Sequence, residues 1–242
     1  MNDAKLYDFD IKPGCRAIEF IPWYGELGWE IMSWVPFCRK KALSYDQVLA
    51  SSFKGMAPLY TDFVTEFRPH DKTNRGLDYP KMYRPDGIYY KYGRPGKAAI
   101  DQDILLHARG IGRKSSINYR QWPELAERIT GLALTSAFIG TKNDQLVQGH
   151  PDFRGIELQR LMDRLARAKL VIGVSSGIMH LAAACGTDLI VWGDSRTYFS
   201  QTLERRYKET WNPFNVRVGW LTADDWQPEP DEVIKKICEI VR

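Results

Sequence analysis

The stretch Leu170–Asp194 reads LVIGVSSGIMHLAAACGTDLIVWGD. Leu170 to Val174 is short and wholly apolar, which predicts a strand buried on both faces. Ser175-Ser176-Gly177 is a small-residue turn. Ile178 to Cys185 follows as a small-residue helix stopped by Gly186, and Leu189 to Trp192 is a second buried strand. A strand running through a tight turn straight into a helix aims unpaired backbone N–H groups and the positive helix end at one point. In a parallel sheet that point lies at the C-terminal edge of the strands, where α/β folds bind ligands. A phosphate or diphosphate is its natural occupant. Gly177 lets a ligand approach the backbone closely, and His180, in the first helical turn, is within reach of an anion. The same residues also read as an ordinary strand–turn–helix with a capping serine and a partly buried histidine.

Working outward, strands and helices alternate. Asp103 to His107 reads as a strand. Pro123 to Ile129 is a helix with proline in its first turn and Gly131 as its stop. Leu132 to Ile139 is the next strand. Glu157 to Lys169 is amphipathic, with Leu158, Leu161, Met162 and Leu165 on one face. Val233, Ile234, Ile237, Cys238 and Val241 mark a C-terminal helix. Towards the N-terminus, residues 16–21 form a first strand and Glu30 to Ala42 a helix that Pro36 kinks. Gln47 to Ser51 is a second strand. Residues 68–97 alternate lysines and arginines with tyrosines, punctuated by glycine and proline, and read as loop. This alternation implies a parallel sheet flanked by helices. The expected division is 1–97, 98–227 and a C-terminal helix 228–242 near the lobe junction.

Composition sets wide bounds. The 242 residues suffice for one large or two small domains. A hydrophobic fraction of 44% with 26% charge is ordinary for a globular chain. No apolar run reaches the ~18 residues of a membrane helix. The first twelve residues lack a signal-peptide core, so a cytoplasmic protein is expected. Cys15, Cys38, Cys185 and Cys238 are far apart and read as reduced thiols rather than a zinc or disulfide framework. A net charge of +4 fits an anionic ligand without pointing to nucleic acid.

Ser176-Gly177-Ile178-Met179-His180-Leu181-Ala182-Ala183-Ala184 resembles the donor-lobe signature of the ADP-heptose:lipopolysaccharide heptosyltransferase-like (family 9-like) glycosyltransferases. Ser175 stands where that family carries aspartate. Tyr119-Arg120-Gln121-Trp122-Pro123 is similar to the family's Lys-x-Trp-Pro element, with Arg120 at the phosphate-binding lysine; arginine can pair bidentately with phosphate. Phe138 to Asp144 resembles the strand and loop near the nucleoside. There Asp144 is a candidate acceptor from ribose hydroxyls, or a plain turn aspartate. The resemblance implies an α/β, GT-B-like fold of two Rossmann-like lobes facing across a cleft, the N-terminal one small. It implies inverting, metal-independent transfer of a hexosyl or heptosyl group from a nucleotide-diphospho-sugar to an acceptor hydroxyl, with no cofactor. The donor-binding set it implies is Arg120, Asp144, Ser175, Ser176, Gly177, Met179 and His180.

The segment Gly25-Glu26-Leu27-Gly28-Trp29-Glu30 resembles the family's N-terminal Gly-x-x-Gly-Asp loop, where an aspartate faces the acceptor. The family proline lies six residues beyond that aspartate, and Pro36 lies six beyond Glu30. Glu30 is therefore the expected general base, with Glu26 second. As a first-turn glutamate, Glu30 also complements the helix dipole. Trp23, Trp29 and Trp34 lie nearby, for sugar stacking or for core. The Asp8/Asp10 and Asp101/Asp103 pairs precede strands, on the edge away from the expected ligand, and argue against a metal site. The acceptor is a glycan or another hydroxyl compound, and the basic run 68–97 suits an anionic one. A non-catalytic nucleotide-sugar-binding or scaffold protein, and a nucleotide-sugar epimerase, are the alternative readings.

Overall fold

The computed structural model describes residues 12–71, 87–92, 102–110, 118–196 and 198–241, with 198–202 described as backbone only. The chain divides into two compact units, Met1–Ile88 and Tyr89–Arg242. The boundary expected at 97/98 falls on residues outside the described set, as do Asp8, Asp10, Asp101 and most of the basic run 68–97.

In the first unit, β1 (Ala17–Glu19), β2 (Gln47–Phe53) and β3 (Glu66–His70) form a parallel sheet in the order β1-β2-β3. β2 is central and buried almost throughout. The expected helix 30–42 begins earlier, as α1 (Leu27–Trp29), passes through a π-helical turn over Glu30–Trp34, and continues as α2 (Val35–Ala42). Pro36 accounts for the irregular turn. It has no N–H for the carbonyl of Met32 and its ring crowds that carbonyl, which a wider turn relieves. All five residues of the π turn are buried. Trp34 stacks on Trp23 with ring centroids 5.8 Å apart, and Phe20 meets Trp34 edge-on. Both tryptophans are therefore core, not sugar platforms. The buried Arg39 guanidinium donates to both carboxylate oxygens of Asp62, at 2.7 and 3.0 Å, and to the Ile88 carbonyl at 2.9 Å. Strand β3 corrects the loop reading of its last residues; Pro69 is tolerated there because β3 pairs on one side only among the described residues.

The second unit is a six-stranded, all-parallel sheet in the order β6-β5-β4-β7-β8-β9. The strands are β4 (Ile104–His107), β5 (Ser136–Gly140), β6 (Asp152–Arg154), β7 (Leu170–Val174), β8 (Asp188–Asp194) and β9 (Val218–Ala223). The connecting helices are α3 (Trp122–Gly131), α4 (Leu158–Arg167), α5 (Gly177–Ala184) and α6 (Tyr198–Glu209), and α7 (Pro230–Val241) follows β9. The chain winds outward from β4 through β5 to β6. It then crosses back past β4 by way of α4 and winds the other way through β7, β8 and β9. Right-handed crossovers then place α3 on one face and α4, α5 and α6 on the other. The direction reverses between β4 and β7. β4 and β7 have no exposed residue, and each buried Leu, Ile or Val contributes about 1.5–3 kcal/mol. α7 packs on α3, β8 and β9 through Val233, Ile237 and Ile240.

Strand β5 starts later than the expected Leu132. Leu132 closes α3 and Ala133 takes a left-handed φ of 58°, so the chain turns before it extends. β6, α6 and β9 were not anticipated. Among the described residues, no helix is long and apolar enough to cross a membrane.

Candidate active site

The reversal between β4 and β7 brings together two segments far apart in sequence. His107 ends β4, and Ser175-Ser176 follow β7. Ser176 Oγ lies 3.1 Å from His107 Nδ1, and His107 Nε2 lies 3.7 Å from Asp144 Oδ2. Ser176 has the extended backbone of a helix N-cap (φ −161°, ψ 169°), yet its hydroxyl does not cap. It turns to His107 instead, so the N-terminal N–H groups of α5 have no side-chain cap. Ser175 Oγ accepts from the Tyr207 hydroxyl at 3.1 Å. Burial pushes the Tyr207 phenol up, so it remains a neutral donor. A sheet-edge crevice at a reversal of strand order is where open α/β folds bind ligands.

Asp144 accepts from the backbone on both sides of it. Oδ1 accepts from the Gly110 N–H at 2.8 Å, and Oδ2 accepts from the Thr141 N–H at 2.6 Å and the Thr141 hydroxyl at 3.0 Å. Burial opposes its charge, but hydrogen bonds from His107, Gly110 and Thr141 outweigh burial and hold the carboxyl well below the usual carboxylate range. It ties the loop after β4 to the loop after β5. Gly110 is required there, because a Cβ would come 2.0 Å from the Asn143 carbonyl oxygen.

Two further residues of the expected donor set are buried. Met179 is fully buried, with its sulfur against Gly173. His180 is buried in parallel stack with Tyr207, centroids 5.5 Å apart and planes 6° off, with Trp211 edge-on. Burial lowers its pKa to about 4, so the ring is neutral near pH 7 and brings no positive charge to an anion.

Arg120 is set by its neighbours. Tyr119 and Trp122 are buried against Trp192, and the Arg120 N–H donates to Gln227 Oε1 at 2.9 Å. The guanidinium stays exposed, 3.9 Å from Asp225. Arg196, after β8, reaches the same Asp225 carboxylate at 3.2 Å and was not singled out in the sequence. Asp225 and the adjacent Trp226 both hold left-handed φ, 54° and 62°, a conformation that costs non-glycine residues about 1–3 kcal/mol each and gathers at functional sites. Asp103, by contrast, sits at the opposite sheet edge, where it accepts from Thr135 and pairs with Lys169. No cluster of three or more metal-ligating side chains occurs among the described residues.

In the first unit, Glu30 is 1% exposed. Ser52 and Tyr60 both donate to its Oε1, at 2.5 and 2.6 Å. Burial raises its pKa from 4.5 to about 7, against the lowering effect of those two hydrogen bonds. Glu30 is thus an enclosed carboxylate. Glu26 is exposed at the mouth of α1, where its carbonyl accepts from the N–H groups of Trp29 and Glu30.

Residues 155–218 match the family described as glycosyltransferase family 9 (heptosyltransferase). Over that segment of the second unit, the chain resembles the heptosyltransferase family. The matched segment holds α4, β7, the serine turn, α5, β8 and α6. The chain's fold is similar to a family 9 glycosyl transferase from Veillonella parvula DSM 2008 (TM-score 0.66, 12% identity, covering 93% of this chain and 97% of that one). It is also similar to TibC, a dodecameric iron-containing glycosyltransferase from enterotoxigenic E. coli H10407 (TM-score 0.54, 15% identity, covering 73% and 57%). A second TibC structure, a heptosyltransferase in complex with ADP-D-beta-D-heptose, gives TM-score 0.50 at 18% identity, covering 74% and 59%. The chain thus spans nearly the whole Veillonella protein and less than two thirds of TibC. No curated protein matches it.

Proposed function

We propose that this chain is a glycosyltransferase, binds a nucleotide-diphospho-sugar with its diphosphate at the Ser175–Gly177 turn, and passes the sugar to an acceptor hydroxyl with inversion. The observation that carries the reading is the turn itself. It lies within the family-matched segment, at the strand-order reversal, and presents two hydroxyls and an uncapped helix N-terminus. Such donors suit the charge that develops on a leaving diphosphate. Arg120 supplies a cation at the same sheet edge, so the reaction proceeds without an active-site metal.

In the transfer, the acceptor oxygen attacks the anomeric carbon from the face opposite the diphosphate. The carbon–oxygen bond to the diphosphate breaks, its electron pair leaves with the phosphate, and the acceptor proton goes to a carboxylate. Glu30 is that base. A pKa raised to about 7 suits proton transfer near neutral pH. Its enclosure demands that the acceptor hydroxyl reach in past its cover, and the exposed Glu26 is the second candidate. Heptosyl or hexosyl donors and glycan acceptors are the substrate classes. The setting is cytoplasmic, which suits four cysteines that are all free thiols.

A thermal-shift plate of nucleoside diphosphates and their sugars tests the reading. A donor at 100 times its Kd stabilises the fold by about 2.7 kcal/mol. Transfer to a glycan acceptor should persist in EDTA. Absence of any stabilisation across the plate refutes the donor site, and loss of transfer in EDTA refutes metal independence.

A further inference from the structure

Three connections meet at the ligand edge of the second sheet. The loop from β4 to α3 carries Arg120, the loop from β8 to α6 carries Arg196, and the turn from β9 to α7 carries Asp225. Trp192, on β8, relates them to the serine turn. It pairs with Val174, the last residue before that turn, packs on Tyr119, next to Arg120, and lies two residues before Asp194. Adjacent strands run about 4.8 Å apart, so the serine turn and the root of the Arg196 loop lie side by side.

Both arginines converge on one carboxylate. Arg196 Nη2 lies 3.2 Å from Asp225 Oδ1, and Arg120 Nη2 lies 3.9 Å from Asp225 Oδ2. The backbone holds all three in place. Buried Asp194 accepts from the N–H groups of Asp225 and Arg196, at 3.1 and 3.2 Å, and Gln227 Oε1 accepts from the Arg120 N–H at 2.9 Å. Gln227 Nε2 donates to the Asp225 carbonyl at 3.1 Å, and Asp225 keeps a left-handed φ of 54°. The two guanidinium groups remain largely exposed. Exposed ion pairs are weak, so an anion of higher charge can take the arginines over. Carboxylate and phosphate both offer a guanidinium charged oxygens spaced for its planar fork. Asp225 therefore marks where an oxyanion meets both arginines at once.

We infer that Arg196 is a second cation of the diphosphate site and acts with Arg120 as a two-arginine clamp. Two guanidinium groups from separate loops then share the charge that develops on the diphosphate as the sugar leaves. Arg196 is a binding residue for the phosphate oxygens, and Asp225 is the carboxylate that gathers the clamp. The inference rests on the donor reading above.

Calorimetry would use whichever of ADP, GDP or UDP binds the wild type best, with the matching bare nucleoside as control. Arg196 is exposed, so its variants should keep the fold. Arg196→Ala should lose about tenfold in diphosphate affinity, the low end for a hydrogen bond to a charged group, with nucleoside affinity unchanged. Arg196→Lys keeps the charge without the fork and should bind between wild type and Arg196→Ala. Removing Arg196 also bares the Asp225 charge, which repels an anion. The Asp225→Asn background separates the two effects, because asparagine tolerates the left-handed backbone and carries no charge. There Arg196→Ala should still lose more than about threefold relative to Asp225→Asn alone. A loss of less than about threefold for Arg196→Ala in the wild-type background overturns the inference. So does equal weakening of diphosphate and nucleoside, or a loss that vanishes in the Asp225→Asn background. A wild type that binds none of the three diphosphates sinks the donor reading and this inference together. Diphosphate binding that Ser176→Ala or Arg120→Ala weakens, and Arg196→Ala does not, sinks this inference alone.

Discussion

Replacing Glu30 by glutamine should stabilise the protein, and by an amount that depends on pH. Glutamine keeps the size of the side chain and an oxygen to accept from Ser52 and Tyr60. It removes a charge that burial disfavours. The folded pKa is about 7 against 4.5 for an unperturbed glutamate. A group whose pKa is raised by folding contributes stability that is complete below the unfolded value and is lost as pH rises through the folded value. Wild-type stability should therefore fall relative to the variant between pH 4.5 and 7, by about 1.4 kcal/mol per pH unit, and level off above 7 at a total of about 3 kcal/mol. Urea unfolding of both proteins at pH 4, 5, 6, 7 and 8 isolates the effect, because every other titration is common to the pair. A free-energy difference that does not change across that range would refute the argument that Glu30 is a desolvated carboxylate. The same variant should lose about 10²–10⁴-fold in kcat if Glu30 is the base. Full retention of transfer by Glu30→Gln, with loss in Glu26→Gln, would move the role to Glu26.

Arg120→Ala should weaken nucleoside diphosphate binding by about 1–2 kcal/mol, the low end for a charged hydrogen bond because the guanidinium is exposed and already has Asp225 beside it; calorimetry showing no change would remove Arg120 from the site. His180→Phe preserves the stack on Tyr207 and deletes a buried Nδ1 that has no hydrogen-bond partner. It should leave donor affinity within about threefold and stability within about 1 kcal/mol, and a tenfold loss of affinity would show that the imidazole contacts the ligand. Gly110→Ala forces a Cβ against the Asn143 carbonyl. It should cost more than about 1 kcal/mol and weaken diphosphate binding through the displaced Asp144 loop; a neutral urea midpoint would contradict the close approach.

What the sequence discloses depends on how local the physics is. β7 and α5 were legible because an unbroken apolar run and a small-residue turn need no partner to be recognised. The serine turn was placed at the ligand edge by the same argument. β6 was not legible: it is three residues, two of them charged, on the sheet edge. β9 was missed because its exposed and buried positions follow neither period cleanly. The π turn over Glu30–Trp34 arises from Pro36 acting on a carbonyl one turn back, which the pattern of apolar residues registers only as a disturbance. His107 looked like the polar end of a strand, because its partners Ser176 and Asp144 are far along the chain and meet it only when the sheet reverses. The tie that Asp144 makes to Gly110 and Thr141 was not legible, because Gly110 lies far back along the chain. Family resemblance pointed to the turn and to Arg120, but not to the burial of Met179 and His180.

The strand order also sets a schedule for synthesis. β4 is made first among the strands of the second unit and lies at the centre of its sheet, paired to β5 on one side and β7 on the other. Its β7 side stays open until the ribosome has passed α3, β5, β6 and α4. α3 must then wait for α7, beyond every strand, to cover it. A growing chain therefore carries two unfinished apolar surfaces through most of its elongation, one on β4 and one on α3. Pauses or truncations before residue 170 leave both bare, whereas those between β9 and α7 leave only the second.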